Sequence, residues 1–224
     1  MRYIPIIFFI FLFSFTVISC AKKSDSSSSS SSDGLTGTYQ LATNDYANGV
    51  ATDSSGNVYV TGGTKGGLDG NTSAGNTDLF VVKYNSSGTK QWTKQLGTSS
   101  TDSANGVATD SSGNVYVTGG TYGGLDGNNS AGNSDLFVVK YNSSGTKQWT
   151  KQLGTEEYDE ARGVATDSSG NVYVVGGTKG NLNGVNKAGM TEAFVIKYNS
   201  SGKRQWTKLL GTWRKDFANA VAID

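Results

Sequence analysis

The sequence predicts an all-β protein, a β-propeller of four-stranded antiparallel blades with 57-residue repeats. The first observation is the stretch Gly-Val-Ala-Thr-Asp-Ser-Ser-Gly-Asn-Val-Tyr-Val, whose three copies begin at Gly49, Gly106 and Gly163. A fixed period of this kind indicates a repeat architecture. The second observation is composition, because 31 glycines, a single proline and recurring Tyr-Val pairs are typical of short strands joined by turns.

The third observation is a strand that is apolar on both faces. Between Leu79 and Tyr84, Phe80 and Val82 alternate with Leu79 and Val81, so neither face of the strand is polar. A two-layer sandwich normally leaves one polar face, whereas stacked blades cover each sheet on both sides. The pattern therefore favours a propeller.

Each repeat accounts for four strands in order. In the first unit they are predicted at Gly49–Asp53, Val58–Thr61, Leu79–Tyr84 and Lys90–Leu96. One Ser-Ser-Gly turn joins the first strand to the second and another joins the third to the fourth, while a long loop rich in Gly, Asn and Asp joins the second strand to the third. The row of outer-strand tryptophans, Trp92, Trp149 and Trp206, is expected to fill the gaps between blades.

The motifs of the unit resemble one known family. Gly-Val-Ala-x-Asp-x-x-Gly-Asn-Val-Tyr-Val is followed by Asp-x-Phe-Val-x-Lys-Tyr, then by Gly-x-x-x-Trp and Leu-Gly-Thr. This series resembles the SBBP (seven-bladed β-propeller) repeat family from about Gln40 to Asp224. The resemblance implies a propeller displayed on an exported protein, and it implies no particular activity.

The predicted repeats occupy residues 35–224, with blades at about 49–105, 106–162 and 163–219 and a partial blade at 220–224. Gln40–Thr43 matches the outermost strand at Gln95–Thr98, and Ala218–Asp224 matches an innermost strand. Since propellers have about four to eight blades, three interpretations stay open: a truncated gene product, an open array, or closure by association with another copy. Exposed strand edges would favour self-association.

The amino terminus resembles that of a bacterial lipoprotein. The apolar run from Ile4 to Ile18 is shorter than the roughly 18 residues of a spanning helix, so residues 1–19 are predicted to be a signal peptide. Val17-Ile18-Ser19-Cys20 resembles a lipobox with Val in place of the usual Leu, a relaxed form familiar in spirochaetal surface lipoproteins. The resemblance implies lipidation (palmitate) at Cys20. An ordinary secretory signal with an incidental thiol is the alternative.

The expected location is the bacterial cell envelope, with the chain lipid-anchored to the outer membrane through Cys20. Residues 20–34, which include unbroken serines from Ser26 to Ser32, are predicted to be a flexible tether because polyserine cannot bury apolar surface.

Several classes of chemistry find no support in the sequence. Nearly balanced charge, 19 basic against 18 acidic residues, argues against a nucleic-acid partner. The chain has no histidine, the commonest general base and metal ligand. Asp53, Asp110, Asp167 and Asp224 lack the spacing of a calcium loop, so turn chemistry is the better interpretation of this row. A weak calcium site in the loops at Leu68–Asp78 and Leu125–Asp135 is left open. We expect no enzyme, no cofactor, and no catalytic or metal residues.

The candidate binding site comes from divergence between repeats. Ser99-Ser100-Thr101 becomes Glu156-Glu157-Tyr158 and then Trp213-Arg214-Lys215 in the loops between blades. Aromatic and Arg side chains dominate interaction hot spots. The candidate partner-binding residues are therefore Tyr158, Trp213, Arg214 and Lys215, with neutral drift in an exposed loop as the alternative.

The expected function is a non-catalytic surface lipoprotein whose propeller binds a protein or glycan partner, with host matrix components as candidate ligands. Two alternatives stay open. One is a structural envelope protein or truncated fragment without a ligand. The other is a hydrolase, which the lack of histidine and of any acid pair unique to one blade disfavours.

Overall fold

The computed structural model describes residues 45–224, and that part of the chain forms three four-stranded sheets. The first sheet contains β1 (Tyr46–Thr52), β2 (Val58–Thr64), β3 (Asp78–Tyr84) and β4 (Lys90–Leu96). The second contains β5 (Asp102–Thr109), β6 (Val115–Thr121), β7 (Asp135–Tyr141) and β8 (Lys147–Leu153). The third contains β9 (Asp159–Thr166), β10 (Val172–Thr178), β11 (Glu192–Tyr198) and β12 (Arg204–Leu210).

Strands follow chain order within every sheet, and all neighbours pair antiparallel. The only helical pieces in residues 45–224 are single 3₁₀ turns at Leu125–Gly127 and Leu182–Gly184. The predicted all-β class and the four-stranded antiparallel blade are confirmed. As described, the three sheets form no closed barrel and fit an incomplete propeller.

The Asp-Ser-Ser-Gly-Asn turns are held by the aspartate. Oδ1 of Asp53 accepts the backbone N–H groups of Ser55 at 2.9 Å and Asn57 at 3.0 Å. Its Oδ2 accepts the Asn57 amide at 2.8 Å and the Tyr59 hydroxyl at 2.9 Å. Gly56 takes a φ of 75°, which glycine adopts without strain. The same bonds recur at Asp110 and Asp167, so the prediction of turn chemistry is confirmed at these three positions of the row.

The core lies between the sheets. Leu79, Phe80, Val81 and Val82 of β3 are all buried, which confirms that both faces of this strand are covered. One apolar cluster joins the first sheet to the second, and another joins the second to the third. Each sheet therefore depends on its neighbours for burial, as expected of a repeat array.

The tryptophans fill gaps between sheets where a following sheet is present. Trp92 Nε1 donates to the Ser143 carbonyl oxygen at 3.3 Å, across the boundary between the first and second sheets. Trp149 packs against Gly202, which lies in the turn between β11 and β12 of the third sheet. Trp206, on the outer strand of the third sheet, is 39% exposed.

The innermost strands begin earlier than the repeat boundary in the sequence. They start at Tyr46, Asp102 and Asp159, because the residues ahead of each Gly-Val-Ala segment continue the pairing across a β-bulge. In β1 the bulged residue is Asn48, whose side-chain amide donates to the Ala104 carbonyl oxygen of the next sheet at 2.9 Å. The bulge thus links neighbouring innermost strands.

The strand predicted at Ala218–Asp224 does not form in the structure. Residues 217–224 have no strand assignment, although the Ala218 N–H donates to the Gly176 carbonyl oxygen at 3.2 Å. The matching strands of the other units pair with a hairpin partner, and the described residues supply none here. The segment therefore lies against the third sheet without a ladder.

Four predicted features lie outside the described residues: the signal peptide (1–19), Cys20, the tether (20–34) and the strand at Gln40–Thr43. Within residues 45–224, none of the helical segments has the length and hydropathy needed to span a membrane.

Candidate ligand-binding cleft

The four predicted contact residues lie in two equivalent loops. Tyr158 lies in the loop between β8 and β9, and Trp213, Arg214 and Lys215 follow β12. Tyr158 is 42% exposed and Trp213 is 70% exposed. The Arg214 guanidinium lies 4.5 Å from the centre of the Trp213 ring.

These loops are fixed to the sheet that precedes them. Tyr158 forms a parallel bridge with Ser134, and Lys215 forms the equivalent bridge with Thr191. The Asp159 carboxylate accepts the Thr155 backbone N–H at 2.6 Å and the Thr155 hydroxyl at 2.8 Å. The loop that carries Tyr158 is therefore braced at both of its ends.

Burial raises the pKa of Asp159, although hydrogen bonds from Thr178 and Thr155 act in the opposite direction. Asp102 has the same arrangement in the preceding loop, and burial raises its pKa as well. Both carboxylates are fully buried, and each accepts hydrogen bonds from the loop that precedes its strand.

Tyr158 lines a cleft of about 290 Å³ between the second and third sheets. Tyr122 and Phe217 supply two further aromatic walls. The Tyr122 and Tyr158 rings meet edge to face, with centroids 6.2 Å apart and planes at 78°. Burial raises the pKa of Tyr122, and nearby Tyr158 and Glu160 add to the shift. The structure brings Tyr158 to this cleft, whereas Trp213, Arg214 and Lys215 do not line it.

Three charged side chains complete the cleft. Glu160 and Arg162 form an ion pair at 3.5 Å, and Asn105 donates to Glu160 at 3.0 Å. Arg162 also donates to Asn219 at 2.9 Å and lies 4.2 Å from the centre of the Phe217 ring. Lys179 Nζ lies 4.5 Å from the centre of the Tyr158 ring. Arg162 is thus held in place before any ligand arrives.

The cleft is where equivalent positions of the repeats differ. Tyr122 corresponds to Lys65 and Lys179, and Arg162 corresponds to asparagines in the other units. The position of Glu160 is occupied by Tyr46, Ser103 and Phe217 in the other units. By contrast, the framework glycines at Gly120 and Gly177 are the same. Five cleft residues were missed at the sequence level: Tyr122, Glu160, Arg162, Lys179 and Phe217. Comparing every row of the repeat, rather than the inter-blade loop alone, could have found them.

Two carboxylates of the loops left open for weak calcium binding are paired with neighbouring side chains. Asp69 is paired with Lys90 and Thr93, and Asp126 is paired with Lys147. The hydrogen bonds from Lys90 and Thr93 lower the pKa of Asp69. Within residues 45–224 there is no cluster of three or more Asp, Glu, His or Cys side chains able to hold a metal ion.

The lysines at the equivalent position of β3 and β7 contact the next sheet. Lys83 Nζ lies 5.3 Å from the centre of the Tyr59 ring and donates to the Ser143 carbonyl oxygen at 3.2 Å. Lys140 makes the same two contacts with Tyr116 and Ser200. These lysines therefore help to hold the array together.

Comparison with curated proteins identifies two relatives. The chain is 30% identical over 196 residues to "Regulatory protein FlaEY" of Caulobacter vibrioides, an alignment that covers 77% of this chain and 20% of that protein. It is 28% identical over 175 residues to "Uncharacterized WD repeat-containing protein L264" of Acanthamoeba polyphaga mimivirus, covering 65% of this chain and 12% of that protein. The chain thus spans a fifth or less of the length of these relatives.

The family model described as "Beta-propeller repeat" (SBBP) matches residues 40–69, 91–126 and 148–183. Each match includes an innermost hairpin, and the second and third begin in the outermost strand of the preceding sheet. These three segments are therefore similar to SBBP β-propeller repeats, and the three four-stranded sheets fit an incomplete propeller.

Proposed function

We propose that the chain is a non-catalytic, lipid-anchored surface protein of a bacterial envelope whose propeller binds a protein or glycan partner. The observation that carries the binding role is the cleft at Tyr158, where the repeats lose their equivalence. The residues that are the same in every blade form the turns, the close backbone contacts at glycine and the apolar core. Side chains that differ between blades are gathered in one concave place, as expected for a ligand site.

The carboxylates of the cleft and its loops support a non-catalytic role. Asp102 and Asp159 bind loop backbone and hydroxyl groups, and Glu160 is paired with Arg162. A general acid or base needs a carboxylate or another titratable group that can reach a substrate proton. These three are engaged in holding the protein.

Binding is tested with the full chain in detergent micelles against immobilised matrix proteins and glycans. We expect saturable binding that survives moderate salt, and Tyr158→Ala should weaken it at least tenfold, in the range of a hot-spot residue. Gln148→Ala, on the exposed outer strand of the same blade, is the matched control and should bind like the parent. Absence of binding to every panel member would contradict the proposal and favour the structural alternative.

The anchor rests on the sequence around Cys20, the single cysteine of the chain. Expressed in a bacterium that processes lipoproteins, the full chain should yield an amino-terminal peptide that begins at Cys20 and carries the mass of its acyl chains. Cys20→Ser should abolish this mass and release the protein from membranes, since several acyl chains are what make anchoring stable. A mature peptide that retains an unmodified Cys20 would refute lipidation.

A further inference from the structure

We propose that the cleft at Tyr158 binds one carboxylated sugar residue, with its ring against Tyr122 and Tyr158 and its carboxylate facing Lys179. This assignment rests on the proposed binding function and names its ligand class. It follows from the shape of the cleft, its charge, and the hydroxyl groups of its lining.

The size and walls of the cleft suit a single ring. A volume of about 290 Å³ is just below the range for small-molecule sites, about 300–1,000 Å³. Tyr122 is 48% exposed and Tyr158 is 42% exposed, so both rings remain available to a ligand. Their edge-to-face arrangement forms a corner. A sugar ring matches such a corner because it has an apolar C–H face and a polar rim.

The charged residues of the cleft favour a ligand with a single negative charge. Glu160 and Arg162 neutralise each other, and Asn105 and Asn219 take up further hydrogen bonds of this pair. Lys179 is half-buried at the cleft, and no carboxylate of residues 45–224 lies within salt-bridge distance of its ammonium. One uncompensated cation beside two aromatic rings favours a monoanion over a neutral ligand.

The polar lining of the cleft also favours a ligand rich in hydroxyls. Thr101, Ser103 and Ser134 place three hydroxyl groups on the lining. An acidic peptide side chain would supply a carboxylate but no set of hydroxyls for these groups.

The test measures binding of glucuronic acid and of glucose to the full chain in detergent micelles by saturation-transfer-difference NMR and titration. The two sugars differ only at C6, which is a carboxylate in glucuronic acid and a hydroxymethyl group in glucose, so the ratio of their affinities reports the charge contact. We expect glucuronic acid to bind about fivefold more tightly, the size of a partly exposed ion pair. Lys179→Met should remove this preference, and Tyr158→Ala should weaken both sugars.

Two variants serve as matched controls. Lys65→Met changes the lysine of the first blade that is equivalent to Lys179 but lies outside the cleft lining, so the preference should be kept. Trp213→Ala removes a more exposed aromatic residue that does not line the cleft, and it should leave both affinities unchanged. Unfolding midpoints of all variants should match the parent.

Three results would overturn the assignment: no binding of glucuronic acid, equal binding of both sugars, or displacement by an aspartate-containing peptide at lower concentration than by glucuronic acid. If the matrix and glycan panel still binds in a Tyr158-dependent way, only the sugar class is wrong. If the panel fails as well, the proposed function fails with it.

Discussion

At the scale of the residue, two rows of aspartate have opposite effects on stability. Burial alone would raise the pKa of Asp110, but hydrogen bonds from Asn114, Tyr116 and Ser112 outweigh it and lower the pKa. For Asp159 the effect of burial is larger than that of the hydrogen bonds, and the pKa is raised. The turn aspartate therefore stabilises the fold when ionised, whereas the buried loop aspartate favours it most when protonated.

The pH dependence of stability should therefore differ in sign between the two rows. A lowered folded-state pKa gives stability that is present above the ordinary pKa of about 3.9 and lost as pH falls. A raised pKa gives stability that is present below about 3.9 and lost as pH rises through the folded value. Asp110→Asn should hence cost more at pH 7 than at pH 3, and Asp159→Asn should cost more at pH 3 than at pH 7.

Urea unfolding of both variants and the parent, at the two pH values, measures this difference. Each variant also loses carboxylate hydrogen bonds, which adds about 1–3 kcal/mol at either pH. The comparison therefore rests on the change with pH and not on the absolute loss. Parallel pH profiles for the two variants would contradict the assignment.

At the scale of the element, one glycine of each second strand allows the β-bulge. A Cβ on Gly119 would lie 1.9 Å from the Ser103 carbonyl oxygen, a backbone atom that cannot move without shifting β5. Gly62 and Gly176 have the same contact with Tyr46 and Glu160. The pairing of the innermost hairpin therefore requires glycine here, for reasons of space.

Gly119→Ala should destabilise the protein by about 3 kcal/mol, the upper range for forced overpacking. Gly66→Ala is the control, since a Cβ there meets nothing within 4 Å and the backbone is not in the left-handed region. Thermal unfolding followed by circular dichroism distinguishes the two. A loss below 1 kcal/mol for Gly119→Ala would show that β5 shifts easily.

The apolar core between the sheets should also be sensitive to substitution. Phe137 is fully buried in the cluster that joins the first and second sheets. Phe137→Ala should cost about 3–5 kcal/mol, and the loss should appear in urea unfolding as one cooperative transition with a lower midpoint. Tyr122→Ala, at an exposed ring, should cost far less. Separate unfolding transitions for the blades would contradict the conclusion that the sheets stabilise one another.

At the scale of the whole molecule, the outer face of the third blade differs from those of the first two. Trp206 is 39% exposed, Leu210 is 61% exposed and Trp213 is 70% exposed. Exposed apolar patches beside strand edges favour association, so self-association through open blade edges stays a prediction for this chain.

Sedimentation velocity of the full chain, at a fixed ratio of detergent to protein, should show species larger than the monomer as concentration rises. Leu210→Lys should shift the distribution toward monomer without lowering the unfolding midpoint. A single monomeric species at every concentration would refute self-association.

The sequence alone was sufficient for the architecture of the blade. The period, the Ser-Ser-Gly turns and the doubly apolar third strand predicted four antiparallel strands for each unit, and all three sheets have them. These features depend on local turn chemistry and on the pattern of apolar residues along a strand, which residues close together in the sequence determine. The strand expected at Ala218–Asp224 shows the limit, because a strand also needs a partner to pair with.

Most residues of the cleft were not predicted from the sequence. Tyr158 was a candidate at the sequence level, but its neighbours come from different blades and different positions of the repeat. Tyr122 follows a second strand, Glu160 and Arg162 lie in an innermost strand, and Phe217 follows the last sheet. The repeat determined the blade through local chemistry, whereas only the packing of one blade against the next decided which divergent side chains share a cavity.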